Sequence, residues 1–392
     1  MRIGVDVCSW SNERGYGRFT RELLRAMVIS SPTDEFVCFI DPWTEQGFDL
    51  RAPNVSTIRV RQSVAPSKAA AASGYRSPLD MFNFMRATWR ARVDVFFSPT
   101  VYTYFPLPPG LPAVVTIHDA IAEKFPQLTL PTGQARLFWH LKVRLAVWQA
   151  RIILTVSEYS ARDLASILNI PPARIRVTSE APASSYRPSE SLERIQEAGK
   201  RVGIPPGSRW LVYVGGFNPH KNVDVVVRAH AAFAQERQGL PLYLVLVGAP
   251  ERDVFYGNVD GIRAAIAKAG TEQLVKWVGF VPDEELRHLH SGAIALVLPS
   301  ACEGFGLPAV EAAACGTPVI ATNESPLPEL LEGGGIFVRP GDEAAVTDAI
   351  RLLLSDEPER KKLGENAKNQ AAKLSWTKSA RIALNSLREA AS

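Results

Sequence analysis

The chain reads as an α/β protein made of two doubly wound, Rossmann-like domains. Three observations lead there. Short apolar runs alternate with helical patterns almost from end to end, the signature of parallel sheets built from βαβ units. The alternation breaks at Glu180-Ala-Pro-Ala-Ser-Ser-Tyr-Arg-Pro188 and again at Ile204-Pro-Pro-Gly207. With 392 residues, the chain is also longer than one hydrophobic core usually organises.

In the first half the strands fall at residues 3–7, 35–40, 55–60, 93–97, 113–117 and 152–156, with a short one at 175–177. The second half restarts at 210–214 and continues through 242–247, 275–278, 294–298, 318–321 and 336–338. The expected division is a first domain over 1–181, a linker over 182–206 carrying a short helix at 192–201, and a second domain over 207–375. Within the last segment, 376–392, residues 376–391 have the apolar spacing of an amphipathic helix. The low-complexity stretch 64–74 reads as a mobile loop.

Composition narrows the function. An apolar fraction of 46% fills two cores, and no apolar run is long enough to span a bilayer. The first residues go straight into a strand without a signal peptide's apolar core. Cys8, Cys38, Cys302 and Cys315 show no metal-ligand spacing and suit a reducing cytoplasm. The net charge of +4 is uneven: residues 1–180 hold 21 Lys and Arg against 15 Asp and Glu, and residues 181–392 hold 23 against 25. That excess is too mild for a nucleic-acid footprint and compatible with anionic lipid or a phosphorylated acceptor.

The most informative stretch is Ser300-Ala-Cys-Glu-Gly-Phe-Gly-Leu-Pro-Ala-Val-Glu-Ala-Ala-Ala-Cys-Gly-Thr-Pro-Val-Ile-Ala-Thr322. It follows a buried strand and reads as glycine turn, short helix, strand. Pro308 suits the first helical position, and Gly316 and Pro318 suit the stop. The helix N-terminus then offers an anion site at the carboxyl edge of a parallel sheet. Glu303 and Glu311 would repel a phosphate unless they address neutral hydroxyls, which a nucleotide sugar supplies. The bland alternative, Glu311 complementing the helix dipole and Glu303 solvated, must ignore the glycines and proline beside them.

Tyr213-Val-Gly-Gly-Phe-Asn-Pro-His-Lys-Asn222 similarly follows the first strand of the second domain, with Lys221 either a point charge for a diphosphate or a surface lysine. Ala113-Val-Val-Thr-Ile-His-Asp119 ends a strand with His118, a packed polar residue or a ligand of the sheet's carboxyl edge, and Asp119, a cap and orienter. Gly15 and Gly17, followed by Arg18, form a weak dinucleotide fingerprint that lacks its third glycine. Cations interleave with aromatic residues over 75–92 and 136–151, which suits either a membrane interface or ordinary helix packing.

Glu303 followed eight residues later by Glu311 within EGFGLPAVE resembles the donor-site motif of the family 4 retaining glycosyltransferases of GT-B architecture. The resemblance implies two doubly wound domains facing a central cleft, with the C-terminal helix crossing back to the first. It implies catalytic roles for His118, Lys221 and Glu303, with His118 lying over the transferred sugar. Donor contacts follow from Gly215, Gly216, Lys221, Gly304, Phe305, Gly306, Leu307 and Glu311, joined by Gly15 and Gly17. Arg18 is then the candidate for an acceptor charge. Gly216 stands where many members carry an Arg, with His220 just before the Lys as in mannosyltransferase-like members, so mannose from GDP-mannose is favoured. Ser179-Glu-Ala181 stands where many relatives carry Asn-Gly, so the hinge or acceptor end is expected to differ.

These readings lead to a hexosyltransferase of polysaccharide biosynthesis. Its donor is a nucleotide diphosphate sugar and its acceptor a glycan or a lipid-linked sugar. No cofactor or metal is expected; the location is cytoplasmic, with peripheral membrane contact through the first domain admitted. A UDP-sugar donor, an NAD-dependent oxidoreductase or epimerase, and a catalytically silent sugar-nucleotide sensor are the alternatives.

Overall fold

The computed structural model describes residues 1–65, 77–130, 132–235, 241–249 and 257–392, so most of the low-complexity stretch 64–74 lies outside the described residues. The chain forms two compact units, one of residues 1–180 with 375–392 and one of residues 181–374.

The first unit holds seven parallel strands: β1 (Arg2–Asp6), β2 (Glu35–Ile40), β3 (Val55–Arg59), β4 (Val95–Ser98), β5 (Ala113–Thr116), β6 (Ile152–Thr155) and β7 (Ile175–Val177). Their order is β3-β2-β1-β4-β5-β6-β7. Strands β4, β5 and β6 are buried throughout, as expected when helices cover both faces of a parallel sheet. The helices are α1 (Gly15–Ser30), α2 (Pro78–Ala91), two single turns α3 (Ile121–Lys124) and α4 (Pro126–Thr129), α5 (Gly133–Gln149) and α6 (Glu158–Ile167).

The second unit opens with α7 (Leu192–Arg201) and builds six parallel strands: β8 (Arg209–Val214), β9 (Leu242–Val247), β10 (Val275–Gly279), β11 (Ala295–Leu298), β12 (Val319–Thr322) and β13 (Gly335–Val338). Their order is β10-β9-β8-β11-β12-β13. Between and after them run α8 (Val223–Gln235), α9 (Val259–Ala269), α10 (Asp283–Gly292), α11 (Leu307–Ala314), α12 (Leu327–Leu330), α13 (Glu343–Ser355) and α14 (Glu357–Ala371). The last helix, α15 (Trp376–Ala391), belongs to the first unit.

The stretch expected as a linker, 182–206, is instead part of the second unit's core. Ala183, Tyr186, Ala198 and Ile204 are buried with Trp210 and Val212 in one cluster. Tyr186 donates its hydroxyl proton to Asp283 Oδ1 at 2.9 Å, and Trp210 Nε1 donates to the Leu289 carbonyl at 2.9 Å. Proline-rich sequence breaks the βα rhythm, yet its apolar residues still have to be buried, and the nearest apolar surface is the β8 and α10 layer.

Helix α15 covers the first unit along α1, burying Ala380, Ala383, Leu384, Leu387 and Ala390. Ser379 Oγ donates to the Ser179 carbonyl, and Arg151 donates to the Ala390 carbonyl at 2.8 Å. Because Leu387 is fully buried, Leu387→Ala should destabilise the first unit by about 2–5 kcal/mol through lost burial and a cavity. Chemical denaturation reads this directly; an unchanged midpoint would show that α15 is not part of the unit's cooperative core.

Candidate active site

In the second sheet the strand order reverses direction at β8, because β9 and β10 lie on one side of it and β11 on the other. Ligand crevices of doubly wound sheets form at such switch points, outside the strands' carboxyl ends. The turns that leave β8 and β11 meet there. Asn222 Nδ2 donates to the Pro299 carbonyl at 3.1 Å, and the Ala301 amide donates to the His220 carbonyl at 2.7 Å. Asn222 sits in the left-handed region at φ 51°, which asparagine tolerates, and so closes the tight turn Pro219–Lys221 ahead of α8.

Lys221 and Glu303 cap this junction. Lys221 Nζ lies 2.7 Å from Glu303 Oε1, with both side chains mostly buried. Ser300 Oγ donates to the same oxygen at 2.5 Å, and the Glu303 amide donates to the Glu324 carbonyl at 3.1 Å. The carboxylate is therefore held from both its backbone and its head. Gly215 and Gly216 begin the β8 turn, where the Tyr213 hydroxyl donates to the Gly216 carbonyl.

Beyond Glu303 the chain passes Gly304 and the buried Phe305 to Gly306, which has φ +85°. A Cβ there would lie 2.8 Å from the Leu327 side chain, so geometry and space both require glycine. Helix α11 starts at Leu307, one residue earlier than expected, with Pro308 in its second position. Its positive dipole end thus lies at the carboxyl edge of β11, the strand next to β8. Glu311 is buried, one turn into the helix.

The first unit has its own switch point, between β1 and β4. Thr103 Oγ1 donates to Asp6 Oδ2 at 2.8 Å across it, and the rings of Tyr16 and Tyr102 lie 5.0 Å apart. Burial pushes the Tyr16 hydroxyl up to about 12, so it stays protonated. Gly17 is inside α1, where a Cβ would come within 2.1 Å of the Asn12 carbonyl oxygen; packing alone accounts for that glycine. Gly15, at the first position of the helix, is exposed with open space around it, and Arg18 is half-buried in the first turns.

His118 follows β5 and is buried edge-on to Phe19, ring centroids 4.8 Å apart. Neither ring nitrogen has a hydrogen-bond partner among the described residues. Burial pushes the imidazole down to about 3, so it is neutral near pH 7. Asp119 Oδ1 accepts the Ile121 amide at 3.0 Å and starts α3. One turn on, Glu123 accepts Trp139 Nε1 at 2.6 Å, and burial raises its carboxyl to about 7.

The structure brings Lys221, Glu303 and the start of α11 together in the second unit, and His118, Asp119 and the α1 start together in the first. Ser300, Asn222, Tyr16, Tyr102 and Glu123 were not anticipated. Ser300 could have been found as the polar residue opening the motif; Tyr102 carries no sequence signal, because only the sheet order brings it beside Tyr16.

Two doubly wound parallel-sheet units are the architecture of the GT-B class. Over 99% of this chain and 98% of the other, the fold matches sucrose-phosphate synthase from Thermosynechococcus elongatus with a TM-score of 0.76 at 21% identity. It matches HepE from Anabaena, solved in complex with UDP and glucose, with a TM-score of 0.73 at 19% identity over 99% of this chain and 100% of that one. The family model for glycosyl transferases group 1 matches residues 195–370, and that for the glycosyl transferase 4-like domain matches residues 14–180. The two models together span most of the chain, which is a glycosyltransferase with a glycosyl transferase 4-like domain followed by a glycosyl transferases group 1 domain. It is similar to O-antigen chain mannosyltransferase B of Escherichia coli, 29% identical over 374 residues and 92% of each chain. The oxidoreductase alternative falls with this assignment.

His118 makes a pH prediction. Its folded pKa of about 3 lies below the ordinary value of 6.5, so protons bind the unfolded chain first. Its contribution to stability is full above pH 6.5 and falls towards pH 3, by about 1.4 kcal/mol per pH unit. Urea midpoints from pH 7 to pH 5 should therefore fall less steeply in His118→Phe than in the parent. The paired comparison separates His118 from Glu123, whose raised pKa acts in the opposite sense. Parallel profiles would mean that His118 titrates normally in the folded protein.

Proposed function

We propose that the protein is a retaining hexosyltransferase that moves mannose from GDP-mannose to a hydroxyl of a glycan or lipid-linked acceptor. The observation that carries the reading is the Lys221–Glu303 pair beside the start of α11, at the switch point of the second sheet. A cation and a helix N-terminus favour the diphosphate, while carboxylates at 303 and 311 accept hydroxyl protons from the hexose and the ribose. Both donors to Glu303 meet Oε1, which leaves Oε2 to accept a sugar hydroxyl. The similarity to a mannosyltransferase over 92% of both chains supports the sugar, as does Gly216 in place of the usual Arg. A lipid-linked acceptor would place the protein at a membrane surface, with contact through the first unit.

The bond from the anomeric carbon to the diphosphate oxygen breaks as the acceptor oxygen bonds to the same carbon, on the same face of the sugar. The acceptor proton leaves with the diphosphate. Negative charge grows on the leaving group in the transition state, so Lys221 acts on rate more than on binding. His118 is assigned to the transfer step as a neutral imidazole. The reaction needs no metal in this reading, because Lys221 and the α11 dipole supply the positive charge, and activity should survive chelation.

A thermal-shift panel of nucleotide sugars tests the donor. GDP-mannose should raise the melting temperature most, by an amount equivalent to about 2.7 kcal/mol at a hundredfold excess over its dissociation constant. A larger shift with a UDP-sugar would replace mannose transfer by the UDP alternative. Lys221→Ala should lower kcat about a hundredfold at saturating donor. A rate within about threefold of the parent would remove Lys221 from the chemistry.

A further inference from the structure

Two helices of the first unit turn apolar stripes to solvent. On α2, the residues opposite its buried side include Leu79, Phe82, Arg86 and Trp89; Trp89 is 75% exposed. On α5 the corresponding stripe is Leu137, Leu141, Arg144 and Trp148, with Trp148 78% exposed. The spacing in each is that of one helix face, so these are continuous stripes rather than scattered residues.

Both helices lie on the same side of the sheet. The connections β3–α2–β4 and β5–α5–β6 advance in the same direction along the strand order, and right-handed crossovers then place both helices on one face. The connection β1–α1–β2 runs the other way and puts α1 on the opposite face. Packing agrees: Phe84 of α2 lies 4.1 Å from the Phe105 ring, Trp139 of α5 lies 5.3 Å from the Tyr102 ring, and Gln149 of α5 accepts the Tyr104 hydroxyl proton at 2.7 Å. The two helices share the segment 101–107 as their floor.

The charge on this face has one sign. Asp80 is the sole acidic residue in either helix, and it is buried, accepting from the Ser63 amide and hydroxyl at 2.8 Å each. Arg86, Arg90 and Arg144 are exposed. Large apolar patches on a soluble face mark an interaction site. Indole rings between guanidinium groups match the boundary between headgroups and acyl chains, and cations without nearby carboxylates match anionic lipid. No helix among the described residues is long and apolar enough to cross a membrane, so the contact is one of surface rather than span.

We infer that the outward face of α2 and α5 docks on an anionic bilayer, with Trp89 and Trp148 entering the interface and Arg86, Arg90 and Arg144 meeting the headgroups. This goes beyond the transfer reaction and does not depend on which sugar is moved.

Co-sedimentation of the full chain with vesicles of phosphatidylcholine, with or without phosphatidylglycerol, tests it. Binding to the mixed vesicles should exceed binding to neutral ones by about tenfold or more. Arg86→Gln combined with Arg144→Gln should lower the partition about twenty-fivefold, at about fivefold for each cation lost. Trp89→Ser combined with Trp148→Ser should weaken binding and reduce quenching of tryptophan fluorescence by bromine-labelled lipid. Neither pair should change the melting temperature or donor hydrolysis in solution, since the side chains point away from the core. Equal partition on both vesicles, or binding indifferent to the tryptophan pair, would overturn the proposal. So would a dimer in sedimentation velocity that the tryptophan pair dissolves, because a second copy would then own the face. Failure of donor hydrolysis in the parent protein would instead count against the transferase reading and leave the vesicle result standing.

Discussion

The carboxyl edge of the second sheet is organised by one ion pair, Lys221 to Glu303. Two mostly buried charges 2.7 Å apart are costly to desolvate, and such a pair is no guarantee of stability. Its value lies in what it fixes. It joins the turn after β8 to the turn after β11, side by side at the switch point; the Ser300 hydroxyl donates to the carboxylate and the Glu324 carbonyl accepts from the Glu303 amide. In the proposed reaction a diphosphate arriving there would meet a cation already aimed and a helix dipole already oriented, leaving little reorganisation for the moment of bond cleavage. Removing either partner leaves the other charge mostly buried without its counter-ion.

The first unit shows the same use of a buried charge for structure. Asp34 accepts the N-terminal amine of Met1, the Ser31 hydroxyl and Arg388 of α15. Burial pushes its carboxyl up, but these donors outweigh it and hold the group below the usual carboxylate range. A single carboxylate thereby pins β1, the end of α1 and the last helix. At the carboxyl edge of the first sheet, beside the Asp6 and Asp119 carboxylates, other ionisable groups are kept neutral: an imidazole uncharged by burial, tyrosines protonated and a carboxyl raised towards neutrality.

Most of the architecture was legible in the sequence. The apolar runs of β2, β7 and β9 match the structure residue for residue, as do α7 and α15, because buried parallel strands and amphipathic helices are dictated by local pattern. The assignment of 182–206 as a linker failed because proline content reports where the βα rhythm stops, not where burial stops; Tyr186 and Ile204 are core residues all the same. At the site, Lys221, Glu303, Gly306 and Glu311 stood out because several special residues recur at fixed spacing. Gly17 was harder to interpret: its role as a close neighbour of the Asn12 carbonyl depends on the path of a loop. Tyr102 and Ser300 gain meaning only once the sheet order sets one turn beside another.

The central claim is that Lys221 and Glu303 act as one unit in stabilising the departing diphosphate. A double-mutant cycle on kcat/KM with GDP-mannose, using Lys221→Met, Glu303→Gln and the double variant, tests it most directly. Coupled residues should show a non-additive interaction energy of about 0.5–3 kcal/mol, the double variant losing clearly less than the two single losses combined. Losses that add within about 0.5 kcal/mol would show two independent residues and contradict the account.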